Sequence, residues 1–161
     1  MRYFFFGTLM DRALLAVVLG RILPEPALGP AQLAGYARYC VREEAFPILV
    51  PEAGATVDGL LVRGLTAEDA TRIAWYETDD YEIRETTVRR PDGHAILANC
   101  CLPRVDAADG RRPWNFEIWR QRDRRQALLL ARDWMAEFGT GDIERAERSY
   151  QARKRRFLGG G

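Results

Sequence analysis

Serine, histidine and lysine are almost absent from this 161-residue chain: Ser149, His94 and Lys154 are each the sole example of their type. A Ser-His-Asp triad would have to take its nucleophile from Ser149, inside a charged C-terminal segment that reads as a helix, a poor setting for an activated hydroxyl. A Cys-His pair is arithmetically open, from Cys40, Cys100 or Cys101 with His94. His94, however, closes a Pro91-Asp92-Gly93-His94 turn and is expected at an exposed hairpin tip. Metal ligation is equally short of material. No C-x-x-C or H-E-x-x-H spacing occurs, and adjacent Cys100 and Cys101 should point to opposite faces of a strand. We therefore expect neither a metal nor a cofactor. An odd count of three cysteines reads as reduced thiols rather than a disulfide framework, which implies a cytoplasmic location.

Long apolar runs are missing too. The N-terminal stretch is interrupted by Gly7, Asp11 and Arg12, so neither a signal peptide nor a membrane span is expected. The formal net charge of +1 gives no general attraction to nucleic acid or to a membrane surface. The local run Arg153-Lys154-Arg155-Arg156 is the exception, read either as a solvated helix end or as a basic patch for a polyanion. No Pro/Gly/Ser-rich linker or repeat divides the chain, and 47% apolar content is enough for one ordinary core.

Two segments carry chemistry. In the first, Tyr3-Phe4-Phe5-Phe6 has the continuous apolar character of a strand buried on both faces, and Asp11 to Leu19 reads as a short helix closed by Gly20. Between them Gly7-Thr8-Leu9 forms a tight turn whose backbone N–H groups can hold a carboxylate or phosphate, glycine permitting close approach. It fits neither a dinucleotide fingerprint nor a phosphate loop, and by itself it is equally readable as a plain structural turn.

In the second, Thr66-Ala67-Glu68-Asp69 has capping-box spacing, so a helix should start at Ala67. Ala70, Ile73, Ala74 and Glu77 then share one face at the helical period, and Glu77 continues an apolar stripe. Desolvation and the helix C-terminus both raise the pKa of such a carboxylate, which suits proton transfer near neutral pH. The alternative is a structural Glu77, its head in water or paired with Arg72 or Arg84.

The expected order is strand 2–6, helix 11–20, a Pro-punctuated loop 21–33, strands near 35–42, 46–50 and 56–64, and helix 67–78. Strands 81–90 and 94–102 follow, joined at Pro91-Asp92-Gly93, then a polar loop to Pro113 and helices at about 114–138 and 142–157. Trp119, Leu128, Leu129, Ala131, Trp134, Met135 and Phe138 form an apolar stripe that packs on the domain or on a partner, so a monomer and a homodimer both remain open.

Taken together, the two segments resemble the γ-glutamylcyclotransferase-like superfamily, in particular its plant avirulence-induced-gene and γ-glutamylamine cyclotransferase branches. Phe6-Gly7-Thr8-Leu9 is similar to the family's opening Tyr-Gly-Ser/Thr-Leu, with phenylalanine for tyrosine. Ile73-Ala74-Trp75-Tyr76-Glu77 with Tyr81 is similar to its Leu-Asp-x-Phe/Tyr-Glu segment and following tyrosine, with alanine for aspartate. Gly35 to Tyr39, Phe46 to Pro51, Val57 to Leu61 and Trp114 to Trp119 also look like family segments. Thr78 stands where a glycine often follows the glutamate, and Ile83 where an arginine is expected, with Arg84 one place late.

The resemblance implies an α+β fold: a mixed, mostly antiparallel sheet curled into a small β-barrel with flanking helices. It implies a core over 1–113, a C-terminal helical extension over 114–158 packed on the same domain, and a frayed tail at 159–161. It implies an enzyme that closes a γ-glutamyl amine or peptide on itself, cleaving a C–N bond to give 5-oxoproline and a free amine. Glu77 takes the acid/base position, Phe6, Gly7, Thr8 and Leu9 the substrate's carboxylate cradle, and Tyr81 a cavity wall or hydrogen-bond donor. Such chemistry needs no serine, cysteine or metal, because the intramolecular attack already has a large effective molarity. The alternatives are γ-glutamyl transfer or deacylation in the same cavity, or a non-catalytic ligand-binding module with this fold. The expected partner is a small-molecule γ-glutamyl substrate.

Overall fold

The computed structural model describes residues 1–78, 81–104, 108–140 and 143–158. Strand β1 (Arg2–Phe5) leads through a 3₁₀ turn (Thr8–Met10) into helix α1 (Arg12–Leu19). The Asp11 side chain caps α1 by accepting from the Leu14 N–H at 3.0 Å, and Gly20 ends it in the left-handed conformation that favours glycine. Strands β2 (Leu28–Val41) and β3 (Pro47–Arg63) form a long hairpin, followed by helix α2 (Ala67–Glu77). A second hairpin joins β4 (Tyr81–Arg89) to β5 (Ala95–Pro103), and β6 (Ala108–Pro113) leads to helices α3 (Phe116–Arg122), α4 (Arg124–Ala136) and α5 (Ile143–Leu158).

The strands run in the order β3-β1-β5-β4-β2, and β2 pairs back onto β3, so five strands close a barrel with β6 attached outside along β2. Only β1 and β5 pair in parallel, Tyr3 opposite Asn99. The fold is α+β, as the resemblance implies. Period-two alternation splits the apolar run of β1 between two cores. Phe4 and Phe6 join Leu33, Leu49, Val57, Val88 and Cys100 in a cluster built from strand residues, the barrel interior. Tyr3 and Phe5 face outward under the helices, with Leu14, Val18, Ile73, Trp119, Trp134 and Ala146. Residues of α3, α4 and α5 thus share one core with the N-terminal strand.

Several boundaries differ from the sequence-based expectation. The loop expected over 21–33 is shorter, because β2 already begins at Leu28. The strands expected at 46–50 and 56–64 are one strand. Pairing with β2 shifts register between Ala34/Thr56 and Tyr36/Pro51, so the turn-like Pro51-Glu52-Ala53-Gly54 is absorbed as a bulge with Gly35 and Gly54 both at positive φ. The polar segment 108–113, expected as a loop, pairs with β2 at Val41 and Tyr39. The helix expected over 114–138 is two, broken at Asp123 (φ −115°, ψ −17°). Leu129, placed in the apolar stripe, is exposed at 37% while its neighbour Leu130 is buried. The glycines at 141 and 159–161 lie outside the described residues.

The hairpin expected at Pro91-Asp92-Gly93 is present, with Gly93 at φ 85° and His94 on an exposed tip. Cys100 and Cys101 fall into opposite cores. The basic run is not simply a solvated end: the Lys154 ammonium donates to both carboxylate oxygens of Glu44, at 2.6 and 2.7 Å, tying α5 to the β2–β3 turn. Among the described residues no helix is long and apolar enough to cross a membrane.

Candidate active site

Helix α2 is fixed at its start by both halves of the capping box. The Thr66 hydroxyl accepts from the Asp69 N–H at 3.1 Å, and the Asp69 carboxylate accepts from the Thr66 N–H at 2.8 Å. Arg21 then grips Asp69 through Nε at 3.1 Å and Nη2 at 2.6 Å, so the helix cannot slide against the end of α1. Its inner face carries Asp69, Ala70, Ile73, Tyr76 and Glu77. Ala74, expected on that face, is exposed: the inner stripe runs through Asp69, Ile73 and Tyr76 and through Ala70 and Glu77, centred to one side of Ala74.

Glu77 closes α2 as its last residue. Desolvation alone lifts its carboxyl to a pKa of about 7. The residue nevertheless keeps part of its surface accessible. Neither arginine named as a possible partner reaches it. Arg72 donates to the Val18 carbonyl at 2.7 Å and lies 4.7 Å from the Phe138 ring centroid, and Arg84 pairs with Glu82. Among the described residues no cation pairs with Glu77.

Its neighbours are legible from the groups that sense its charge. The Tyr76 phenol is raised above its ordinary range by burial first and by Glu77 second, with the Thr8 side chain as its hydrogen-bonding neighbour. Burial and Glu77 likewise push the Cys100 thiol up to about 12 and raise Cys101. Glu77 therefore lies within electrostatic range of Cys100 and Cys101 of β5 and of the Tyr76 phenol, whose hydrogen-bonding neighbour is Thr8. Thr78, directly after it, is held at φ 60° and ψ −171°, a conformation almost reserved for glycine.

The turn itself is packed hard on one side. A Cβ at Gly7 would lie 2.9 Å from Cγ of Pro47, so only glycine fits there without a shift. The carbonyls of Gly7 and Thr8 accept from the N–H groups of Met10 and Asp11, each at 3.0 Å. The N–H groups of Thr8 and Leu9, which open the 3₁₀ turn, have no acceptor among the described residues. The Phe6 ring is 7% exposed and belongs to the barrel interior, and the Leu9 side chain lies in the outer core, so both could contribute to a cradle only through their backbone. Tyr81 opens β4 opposite Pro103 and packs on the outer core, half-buried.

Sequence reasoning passed over two residues. Tyr76 lies inside the motif but its contact with Thr8 depends on the packing of α2 against the turn. Arg38, on β2, donates from Nη1 to the Phe6 carbonyl at 2.5 Å and to the Asp58 carbonyl at 3.3 Å. No local pattern marks it.

A closed five-stranded barrel with a glycine turn after its first strand, and a desolvated glutamate at the end of α2 that pairs with no cation among the described residues, define a small α+β protein. The chain belongs to the γ-glutamyl cyclotransferase, AIG2-like family, whose model matches residues 3–121. It is 26% identical to AIG2-like protein B of Arabidopsis thaliana over 120 residues, 73% of this chain and 68% of that protein. Protein AIG2 C of the same plant is 29% identical over 119 residues, 73% of this chain and 70% of that one. Among solved structures, At3g28950.1 from Arabidopsis thaliana is similar with a TM-score of 0.60 at 25% identity, covering 87% of this chain and 84% of that one. At5g39720.1 from the same plant has a TM-score of 0.62 at 23% identity, covering 84% and 90%, and supports the fold.

Proposed function

We propose that the protein is a γ-glutamyl cyclotransferase that converts a γ-glutamyl amine or peptide to 5-oxoproline and a free amine. The observation that carries this reading is the Glu77 carboxyl, desolvated to a pKa of about 7 with no cation among the described residues to hold it charged. At neutral pH it exists as comparable amounts of base and acid, the condition for accepting and returning a proton in one turnover.

In this mechanism the backbone N–H groups of the Gly7-Thr8-Leu9 turn hold the substrate's carboxylate, and Tyr81 forms part of the wall. Glu77 takes a proton from the α-ammonium. The freed amine attacks the γ-carbonyl carbon, forming the ring C–N bond, and the carbonyl electron pair moves to oxygen. When that pair returns, the original amide C–N bond breaks and protonated Glu77 donates to the departing nitrogen. The second proton lost by the ring nitrogen ends on the released amine, which leaves as its ammonium. The ring closure is intramolecular, so positioning supplies most of the acceleration and one carboxyl suffices for the proton transfers.

The test is a panel of γ-glutamyl amines and dipeptides assayed for 5-oxoproline, with Glu77→Gln run alongside. Release of 5-oxoproline by the wild type and its loss in the folded variant support the reading. Free glutamate as the product would point to deacylation instead, and equal rates in both proteins would remove Glu77 from the chemistry.

A further inference from the structure

Arg38, half-buried on β2, reaches the end of the first strand. Its Nη1 donates to the carbonyls of Phe6 and Asp58 and lies 3.9 Å from the Met10 sulfur. Its guanidinium carbon sits 5.0 Å from the Trp114 ring centroid, and the Arg38 carbonyl accepts from the Trp114 N–H at 3.2 Å. Nε is buried without a partner among the described residues. Burial lowers the guanidinium's pKa and the Asp58 carboxylate opposes that shift. A charged side chain is thus desolvated chiefly to reach a backbone carbonyl, an arrangement that needs a reason.

Topology supplies one. β1 lies between β3 on one side and β5 on the other. Arg38 belongs to β2 and Asp58 to β3, so Nη1 ties the Phe6 carbonyl at the end of β1 to two further strands of the barrel. The chain has no cis peptide among the described residues, and in a planar trans peptide the carbonyl and the following N–H point in opposite directions. The Gly7 N–H is therefore fixed in the direction opposite to the Phe6 carbonyl, and Pro47 packs against Gly7 so closely that a Cβ there would lie 2.9 Å from its Cγ.

We propose that Arg38 is a positioning residue for anion binding at the turn: by holding the Phe6 carbonyl it locks the Phe6–Gly7 peptide at the entrance to the turn whose N–H groups would take the anion. The proposal rests on the cyclotransferase reading for the identity of the anion, a carboxylate of the γ-glutamyl group, but not for the orientation of the peptide.

The experiment compares wild type with Arg38→Lys and Arg38→Met, using 5-oxoproline as the probe. Two readouts are taken on each folded protein: the amide proton and nitrogen shifts and exchange rates of Gly7, Thr8 and Leu9 without ligand, and 5-oxoproline affinity by calorimetry. In Arg38→Met the three amides should move and exchange at least tenfold faster, and affinity should fall about tenfold, with Arg38→Lys intermediate on both. Where turnover is measurable, KM should rise while the pH midpoint assigned to Glu77 stays put. Unmoved amides in either variant overturn the proposal, as does wild-type affinity in folded Arg38→Met. If Arg38→Met does not fold, Arg38→Lys decides by the same amide readout. A wild type that binds no 5-oxoproline and turns over no γ-glutamyl compound sinks the functional reading, while the ligand-free amide shifts still decide for or against Arg38.

Discussion

Asp69 and Glu77 stand near opposite ends of the same eleven-residue helix, and their surroundings are opposites. Asp69 is 2% exposed and saturated: it accepts from the Thr66 N–H and from two nitrogens of Arg21, which hold its carboxyl below the ordinary range. Glu77 keeps more of its surface accessible, has no cation among the described residues, and desolvation holds it above the ordinary range. A carboxylate that holds a fold together arrives with its counterion. One that is desolvated without a counterion has its charged form destabilised, the setting in which a carboxyl can act as an acid or base near neutral pH. Asp11, buried and tied to Arg124 by Nε at 2.7 Å, follows the Asp69 pattern.

The sharpest way to break this contrast is to neutralise Glu77. Glu77→Gln should lower kcat for 5-oxoproline formation by about 10³–10⁴-fold, the upper range for a lost acid/base, while the thermal midpoint holds or rises slightly. A stability loss with turnover intact would place Glu77 in the structural class beside Asp69.

The converse substitution should do the converse. Asp69→Ala removes half of the capping box and strands Arg21, so unfolding free energy measured in urea should drop by about 2–3 kcal/mol, with kcat of the folded fraction preserved. A fall in kcat without a stability change would erase the distinction.

The two carboxylates should also leave opposite marks on stability against pH. The Glu77 pKa is raised on folding, so its contribution is fully present below the ordinary value of 4.5 and is lost as pH climbs through about 7, a change of roughly 1–3 kcal/mol. The Asp69 pKa is lowered on folding, so its contribution is present above the ordinary value of 3.8 and disappears as pH falls through its lower folded value. Melting curves of wild type and Glu77→Gln from pH 4 to 8 should diverge, the variant losing the decline between about 4.5 and 7.

The smallest effect concerns the residue after the glutamate. Thr78 holds a backbone conformation that glycine adopts freely, so Thr78→Gly should raise stability by about 1 kcal/mol, strain relief of roughly 1–3 kcal/mol being offset by glycine's freedom in the unfolded chain. Chemical denaturation detects that gain. A destabilised Thr78→Gly would mean that the threonine side chain contributes more than its backbone costs.

Much of this comparison can be read along the chain. Thr66 and Asp69 announce the helix start, because capping is a contact between residues three apart. Glu77 falls in register with Ala70 and Ile73, because helical periodicity is local. Its environment does not follow from periodicity: Ala74, in the same expected stripe, faces solvent, since the direction of the helix is set by the grip of Arg21 on Asp69 across 48 residues. Segment 108–113 shows no strand signal, and it becomes one because β2 offers an unpaired edge.

The sequence by itself determined the local events: the split of Tyr3 to Phe6 between two faces, the glycine at position 7, the caps of α1 and α2, the hairpin at Gly93, and a glutamate at the end of an apolar face. Tertiary structure decided what those features meet. Tertiary packing brought Cys100 and Cys101 within electrostatic range of Glu77, gave both candidate arginine partners other engagements, and placed Arg38 at the Phe6 carbonyl. Charge state, desolvation and peptide orientation depend on distances between residues far apart in the chain, and those distances exist only once the strands have paired.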